Sequence, residues 1–121
     1  MKYLCLAYGD KGKMEALSKE QMDALGRNCM PHMEELKSSG HLLSDDGLEW
    51  TSAVIRPRGG KPSVTDGPFT ESKEQVGGAF VVEAKDLDEA VRIASKHPAA
   101  HLGEHLGWGI EVRPMAQLEG Q

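Results

Sequence analysis

An imidazole and a carboxylate are the smallest pair of side chains that can move a proton near neutral pH. His32 and Asp66 are the pair this sequence offers first. A carboxylate beside a histidine orients the ring and favours its charged form, which suits general acid–base work. The competing reading is equally simple: Asp66 caps its own turn through its side chain, and His32 sits on the outer face of a helix. Asp66 opens a run, Asp66-Gly67-Pro68-Phe69-Thr70-Glu71-Ser72-Lys73-Glu74, that carries three carboxylates and a lysine. Gly67 and Pro68 restrict its backbone, so it reads as a shaped loop, and shaped loops often hold sites. Glu71, Lys73 and Glu74 suit a pocket for a small polar molecule, or else a solvated run in which the lysine bridges two acids. Tyr8 and Arg113 end strands near one sheet edge and complete the ligand-binding candidates. Each serves as well as a dimer contact.

A second constellation invites a different chemistry. His101-Leu102-Gly103-Glu104-His105 matches the H-x-x-E-H string of one class of zinc peptidase. That chemistry needs both histidines on one face of a regular helix and a further protein ligand. Gly103 inside the string, with Gly107 and Gly109 close behind, argues against the helix. His97, four residues upstream, leaves adventitious metal binding by His97, His101 and His105 as the alternative, and no metal site is assigned. Neither Gly59-Gly60 nor Gly77-Gly78 stands between a strand and a helix, so no phosphate loop is expected and no cofactor is assigned. A formal charge of -5 argues against nucleic acid and anionic membrane surfaces as partners. No apolar run approaches the roughly 20 residues of a membrane span, and the first eight residues are too short for a signal peptide. Cys5 and Cys29 form no framework and read as small buried hydrophobes. A reduced, cytoplasmic protein is the expectation.

These groups need a scaffold. Lys2 to Tyr8 reads as a strand apolar on both faces, followed by a polar loop from Gly9 to Lys13. Ser18 with Gln21 forms a capping box for a helix to Ser38, whose core stripe is Met22, Leu25, Cys29, Met33 and Leu36. Pro31 predicts a kink or break near Asn28 to Met30, and Gly40 ends the helix. A short extended piece, His41 to Ser44, and a turn at Asp45-Asp46-Gly47 follow. Strands at Trp50 to Arg56 and Lys61 to Val64 make a hairpin around Gly59-Gly60. Ala79 to Glu83 is a third main strand, again apolar on both faces. Asp86 and Glu89 cap a helix with Leu87, Ala90, Val91 and Ala94 inward, ending before Pro98. After a loop from His97 to Gly109, Ile110 to Arg113 is the last strand. The domain spans 1–114, and 115–121 reads as a flexible tail.

The order is the βαββαβ of a ferredoxin-like α+β sandwich, an antiparallel sheet with an extra hairpin. Two helices cover one face of such a sheet, yet two of its strands are apolar on both. A homodimer packed through the sheet face is therefore expected.

With these residues in place, the chain resembles the DGPF-domain proteins of the YCII-related, YciI-like family. The likeness rests on Val64-Thr65-Asp66-Gly67-Pro68-Phe69-Thr70-Glu71-Ser72-Lys73-Glu74 with Gly77-Gly78. It extends through Gly40, Leu42-Leu43, Gly47-Leu48, Asp86 to Ala90, His97-Pro98-Ala99 and Glu111 to Pro114. It implies a dimeric ferredoxin-like α/β barrel and a histidine/aspartate site, and the Pro31-His32-Met33 setting is similar to that family's histidine. It also implies two roles. One is small-molecule binding with His/Asp proton transfer. The other is a non-catalytic dimeric module, of the kind encoded beside extracytoplasmic-function sigma factors. The long loop from His97 to Gly109 departs from the pattern.

Overall fold

A computed structural model describes residues 1–117 of the chain. Four strands make the main antiparallel sheet: β1 (Lys2–Asp10), β2 (Leu42–Gly47), β5 (Glu74–Glu83) and β6 (Gly109–Pro114), in the order β2-β5-β1-β6. The first and last strands of the domain pair, and the sheet edge is taken by the strand after the long helix. That is the ferredoxin-like arrangement. The remaining strands, β3 (Ala53–Arg58) and β4 (Lys61–Asp66), form a separate two-stranded hairpin. Its tip is Gly59-Gly60 with φ of 59° and 79°, a left-handed pair that glycine adopts without strain.

Helices α2 (Lys19–Ser38) and α3 (Leu87–Ala94) cover one sheet face. Tyr3, Cys5, Phe80 and Val82 meet Leu36 of α2 and Ala90, Ile93 and Ala94 of α3 in one cluster. Register explains the selection: Cys5 stands opposite Phe80 and Tyr3 opposite Val82, so all four share a face. The opposite face carries Leu4, Leu6, Ala79 and Val81, also in register and half-buried in the single chain.

Several local expectations are corrected. The polar loop from Gly9 to Lys13 is instead the end of β1 and a short helix, α1 (Lys11–Glu15), capped by Asp10, whose Oδ1 accepts from the Lys13 amide at 3.1 Å. The helix through Pro31 runs unbroken, because the proline and Arg27, whose carbonyl loses its partner, are both exposed and water can serve that carbonyl. Of its expected stripe only Leu36 is buried. Met33 packs against the core, Cys29 is half-buried and Met22 is exposed, since the core lies under the helix's C-terminal turns. Asp45-Asp46-Gly47 is not a turn but the second half of β2, paired with β5. The hairpin strand starts at Ala53 rather than Trp50, and β5 starts at Glu74 rather than Ala79. In α3 the buried face is Ala90, Ile93 and Ala94, and Leu87 and Val91 are exposed. Two single 3-10 turns, Pro98–Ala100 and Glu104–Leu106, occupy the long loop. Of the tail, residues 118–121 lie outside the described residues.

Candidate functional site

A cavity of about 380 Å³ opens at one end of the sheet, between β1, β2 and β5 on one side and α2 and the segment after α3 on the other. Both tryptophans of the chain line it, and glycines make room for them. A Cβ on Gly77 would lie 3.1 Å from the Trp50 ring, and one on Gly9 would lie 3.3 Å from Trp108. Gly77 is also where β5 carries an extra residue opposite Ala7 and Tyr8. Such a bulge turns the strand and re-aims what packs on it. Gly103 has a φ of +71°, and a Cβ there would overlap the Trp108 ring. Trp108 is pinned further by donating its Nε1–H to the sulfur of Met14, at 3.1 Å. That contact gives α1 a role: it carries one wall.

His97 supplies the polar end. It precedes Pro98, which holds it in extended backbone (φ −65°, ψ 145°). Its Nδ1 stands 3.0 Å from the Ala99 amide. An amide N–H can only donate, so Nδ1 accepts and the neutral ring carries its hydrogen on Nε2. The ring stacks on Phe80, with centroids 4.7 Å apart and planes 3° from parallel. Burial lowers its pKa below the usual histidine value, against the opposing pull of the Asp45 charge. At neutral pH His97 is therefore an uncharged N–H donor with a fixed tautomer. Asp45 stands opposite Phe80 in the sheet register, on the side of the sheet where His97 stacks, and it lines the cavity with Asp46 and Lys37.

Tyr8 lines the same cavity and is tied to β6. Its hydroxyl donates to Glu111 at 3.1 Å, and the other Glu111 oxygen takes Arg113 at 3.3 Å. Arg113, then Tyr8, hold the Glu111 carboxyl below its ordinary range, while burial first and Glu111 second push the Tyr8 phenol up. Two of the expected ligand-binding residues, Tyr8 and Arg113, are thus brought together, through a glutamate the sequence did not single out.

The other expected residues are dispersed. His32 is half-buried and its ring stacks on His101, 4.8 Å between centroids. Asp66 is exposed at the end of β4, opposite Ala53. Neither lines the cavity, and no hydrogen bond or ion pair joins them among the described residues. Glu71 and Lys73 are exposed, and Lys73 bridges no carboxylate among the described ion pairs. Glu74 begins β5 and lines a second, more open cavity of about 800 Å³ with Phe69, Thr70 and Ser72. Phe69, in the same loop, is 64% exposed and lies under the Arg56 guanidinium, 4.0 Å from the ring centre. Gly67 does hold the turn: its amide donates to Ser52 O at 2.9 Å, so close that a Cβ would collide with Ser52. His101 is held by the Ser95 carbonyl. Among the described residues no group of three or more His, Cys, Asp and Glu is placed to hold a metal ion.

Trp50, Trp108 and Asp45 are residues that sequence reasoning passed over as site members, and His97 it weighed only for adventitious metal binding. The only signals were two tryptophans in an aromatic-poor chain and a histidine placed before a proline.

The model of the YCII-related domain matches residues 1–114. The chain belongs to the YCII-related family. An uncharacterised protein of Rhizobium meliloti (strain 1021) is 32% identical over 118 residues, covering 96% of this chain and 93% of that protein. Among solved structures, 5-chloro-2-hydroxyhydroquinone dehydrochlorinase from Burkholderia phenoliruptrix AC1100, in complex with 2,5-dihydroxybenzoquinone, aligns with a TM-score of 0.50. It covers 98% of this chain and 97% of that one at 15% identity, a likeness of fold. Among the described residues of this YCII-related chain no helix is long and apolar enough to cross a membrane.

Proposed function

We propose that the cavity binds a small, flat, oxygen-bearing molecule and that His97 and Asp45 move a proton on it. The observation that carries this reading is the bond from the Ala99 amide to His97 Nδ1, which leaves an uncharged N–H as the ring's remaining polar group. Two indoles, two methionine sulfurs and bare glycine backbone favour a flat apolar body. The His97 N–H and the Asp45 carboxylate favour an oxygen that gains negative charge and a nearby hydrogen that leaves. In such a step Asp45 takes a proton from carbon beside a carbonyl. The C–H electron pair shifts towards the carbonyl oxygen, and His97 steadies that oxygen by donating its Nε2–H. Among the described residues no serine, threonine or cysteine lines the cavity, and the hydroxyl of Tyr8, which does, is committed to Glu111.

One observation favours a second, purely binding role: Asp45 is exposed in the single chain, where water competes with a substrate for its carboxylate. Phenol, titrated by calorimetry, and cyclohexanone in D2O, followed by proton NMR, separate the two. His97→Asn is expected to keep the cap and weaken phenol binding at least tenfold, about 1.4 kcal/mol, while His32→Ala leaves it unchanged. Equal binding by His97→Asn overturns the site. Exchange of the cyclohexanone α-hydrogens that is lost in Asp45→Asn supports proton transfer. Phenol binding without exchange supports the binding role.

A second copy of the chain is proposed as the cover for the free sheet face. What supports this is the row of Leu4, Leu6, Ala79 and Val81, aligned in register and with no helix over it.

A further inference from the structure

The stretch around Asp-Gly-Pro-Phe has no part in the His97 cavity, yet it lines the larger cavity next door. The two cavities share two residues, Tyr8 and Trp50. Tyr8 is fixed by Glu111. Trp50 lies in the irregular segment 48–52, which is fastened at its ends: the Leu48 amide donates to Gly77 O at 3.0 Å, and Ser52 O accepts from Gly67. Between those ties the indole rests on the backbone of Gly77 and Gly9. Unlike Trp108, it has no side-chain hydrogen bond among the described residues. The ring is thus held by packing on glycine alone, without a polar anchor.

The outer cavity has its own chemistry. Its walls mix Phe69, Ile55 and Val76 with the hydroxyls of Thr70 and Ser72; among the described residues the charged side chains that line it are Glu49 and Glu74, and the Arg56 guanidinium packs on the Phe69 ring. Two carboxylates against that one guanidinium leave the chamber net negative, which disfavours an anion and favours a cation.

We infer that the site has two chambers and takes a two-part ligand: a flat head beside His97, and a neutral or cationic extension in the outer chamber lined by Phe69 and Glu74. Trp50 is the specificity-determining residue that sets how much extension is admitted. This rests on the reading of the inner cavity as the ligand site, and gives the Phe69 to Glu74 loop the task of receiving the extension.

Three phenols test it by calorimetry: phenol, with a head only; tyramine, with a cationic extension; and 3-(4-hydroxyphenyl)propionate, with an anionic one. The wild-type chain is expected to bind tyramine more tightly than the propionate. Trp50→Ala raises the ratio of tyramine to phenol affinity at least fivefold, with Trp50→Phe between it and the wild type. Glu74→Gln, an exposed substitution on a strand that otherwise stays intact, collapses the preference for the cation over the anion. If phenol fails to bind the wild type, the inner-site reading falls and this inference with it. If phenol binds but neither substitution changes the ranking of the extended probes, the two-chamber inference alone is overturned.

Discussion

The cavity end of the sheet and the β3–β4 hairpin are built on opposite principles. At the cavity, aromatic rings lie on glycine backbone and polar atoms are tied: Trp108 to Met14, His97 to Ala99, Tyr8 to Glu111. In the hairpin, Ile55 and Val64 stand opposite one another and are 67% and 65% exposed. One region is specified by close approach, where a single methyl group has nowhere to go. The other is specified by its turn and tolerates change on its surface. The difference shows why conspicuous residues mislead. Charge and hydroxyl density gathered on the loop that follows the hairpin, while the tightly made cavity is assembled from residues of ordinary type.

The sharpest way to break this comparison is to place the same methyl group in both regions. Gly103 and Gly59 both have positive φ, at 71° and 59°. Only at Gly103 would the added Cβ also overlap a side chain, since nothing lies within 4 Å of one at Gly59. Gly103→Ala is expected to cost about 3 kcal/mol from strain and overpacking together, and to change the near-ultraviolet dichroism of Trp108. Gly59→Ala costs about 1 kcal/mol and leaves that spectrum alone. Urea denaturation measures both, and equal losses would erase the distinction.

Next in size is the choice of surface for the second copy. Leu6→Asp, on the free sheet face, is expected to weaken the proposed dimer about a hundredfold, roughly 2.8 kcal/mol, by sedimentation velocity. Ile55→Asp, on the hairpin, leaves the dimer in place and alters stability by no more than about 0.5 kcal/mol. The reverse pattern would move the interface to the hairpin.

The smallest effect concerns the cap at His97. Its pKa is lowered in the folded state, so as the pH falls below about 6.5 the unfolded chain takes up this proton first. The stabilisation is full above that pH and is lost as the pH drops through the folded value. His97→Asn keeps an acceptor for the Ala99 amide but does not titrate. Between pH 7.5 and 5 its Tm is expected to fall roughly 3 °C less than that of the wild type. Parallel slopes would remove His97 from the pH dependence.

Much of the fold was legible because it rests on local rules. The capping box at Ser18 and the cap at Asp86 marked both long helices, although Glu89 reaches back to the Lys85 amide rather than closing a box on Asp86; two-sided apolar strands marked the sheet centre, and Gly59-Gly60 marked the hairpin tip. Errors came where local preference met tertiary pairing. Asp45-Asp46-Gly47 is turn-like in isolation, yet β5 offers it a ladder, and backbone bonds outweigh weak strand propensity. Pro31 breaks helices whose carbonyls are buried, and here they are exposed.

The site was far less legible. His32 and Asp66 have the right chemistry and even the setting of a family resemblance, but residue types carry no distances. In space His32 meets His101, and Asp66 ends a hairpin strand. By itself the sequence determined the order of the main elements, the starts of the two long helices, the hairpin and the family, because these follow from spacing and short-range hydrogen bonding. Only the tertiary structure decided which histidine lines the cavity and which aspartate accompanies it. It set His97 against Phe80, Asp45 opposite that same residue, and both tryptophans on glycine. In those juxtapositions packing rather than periodicity chooses the neighbour.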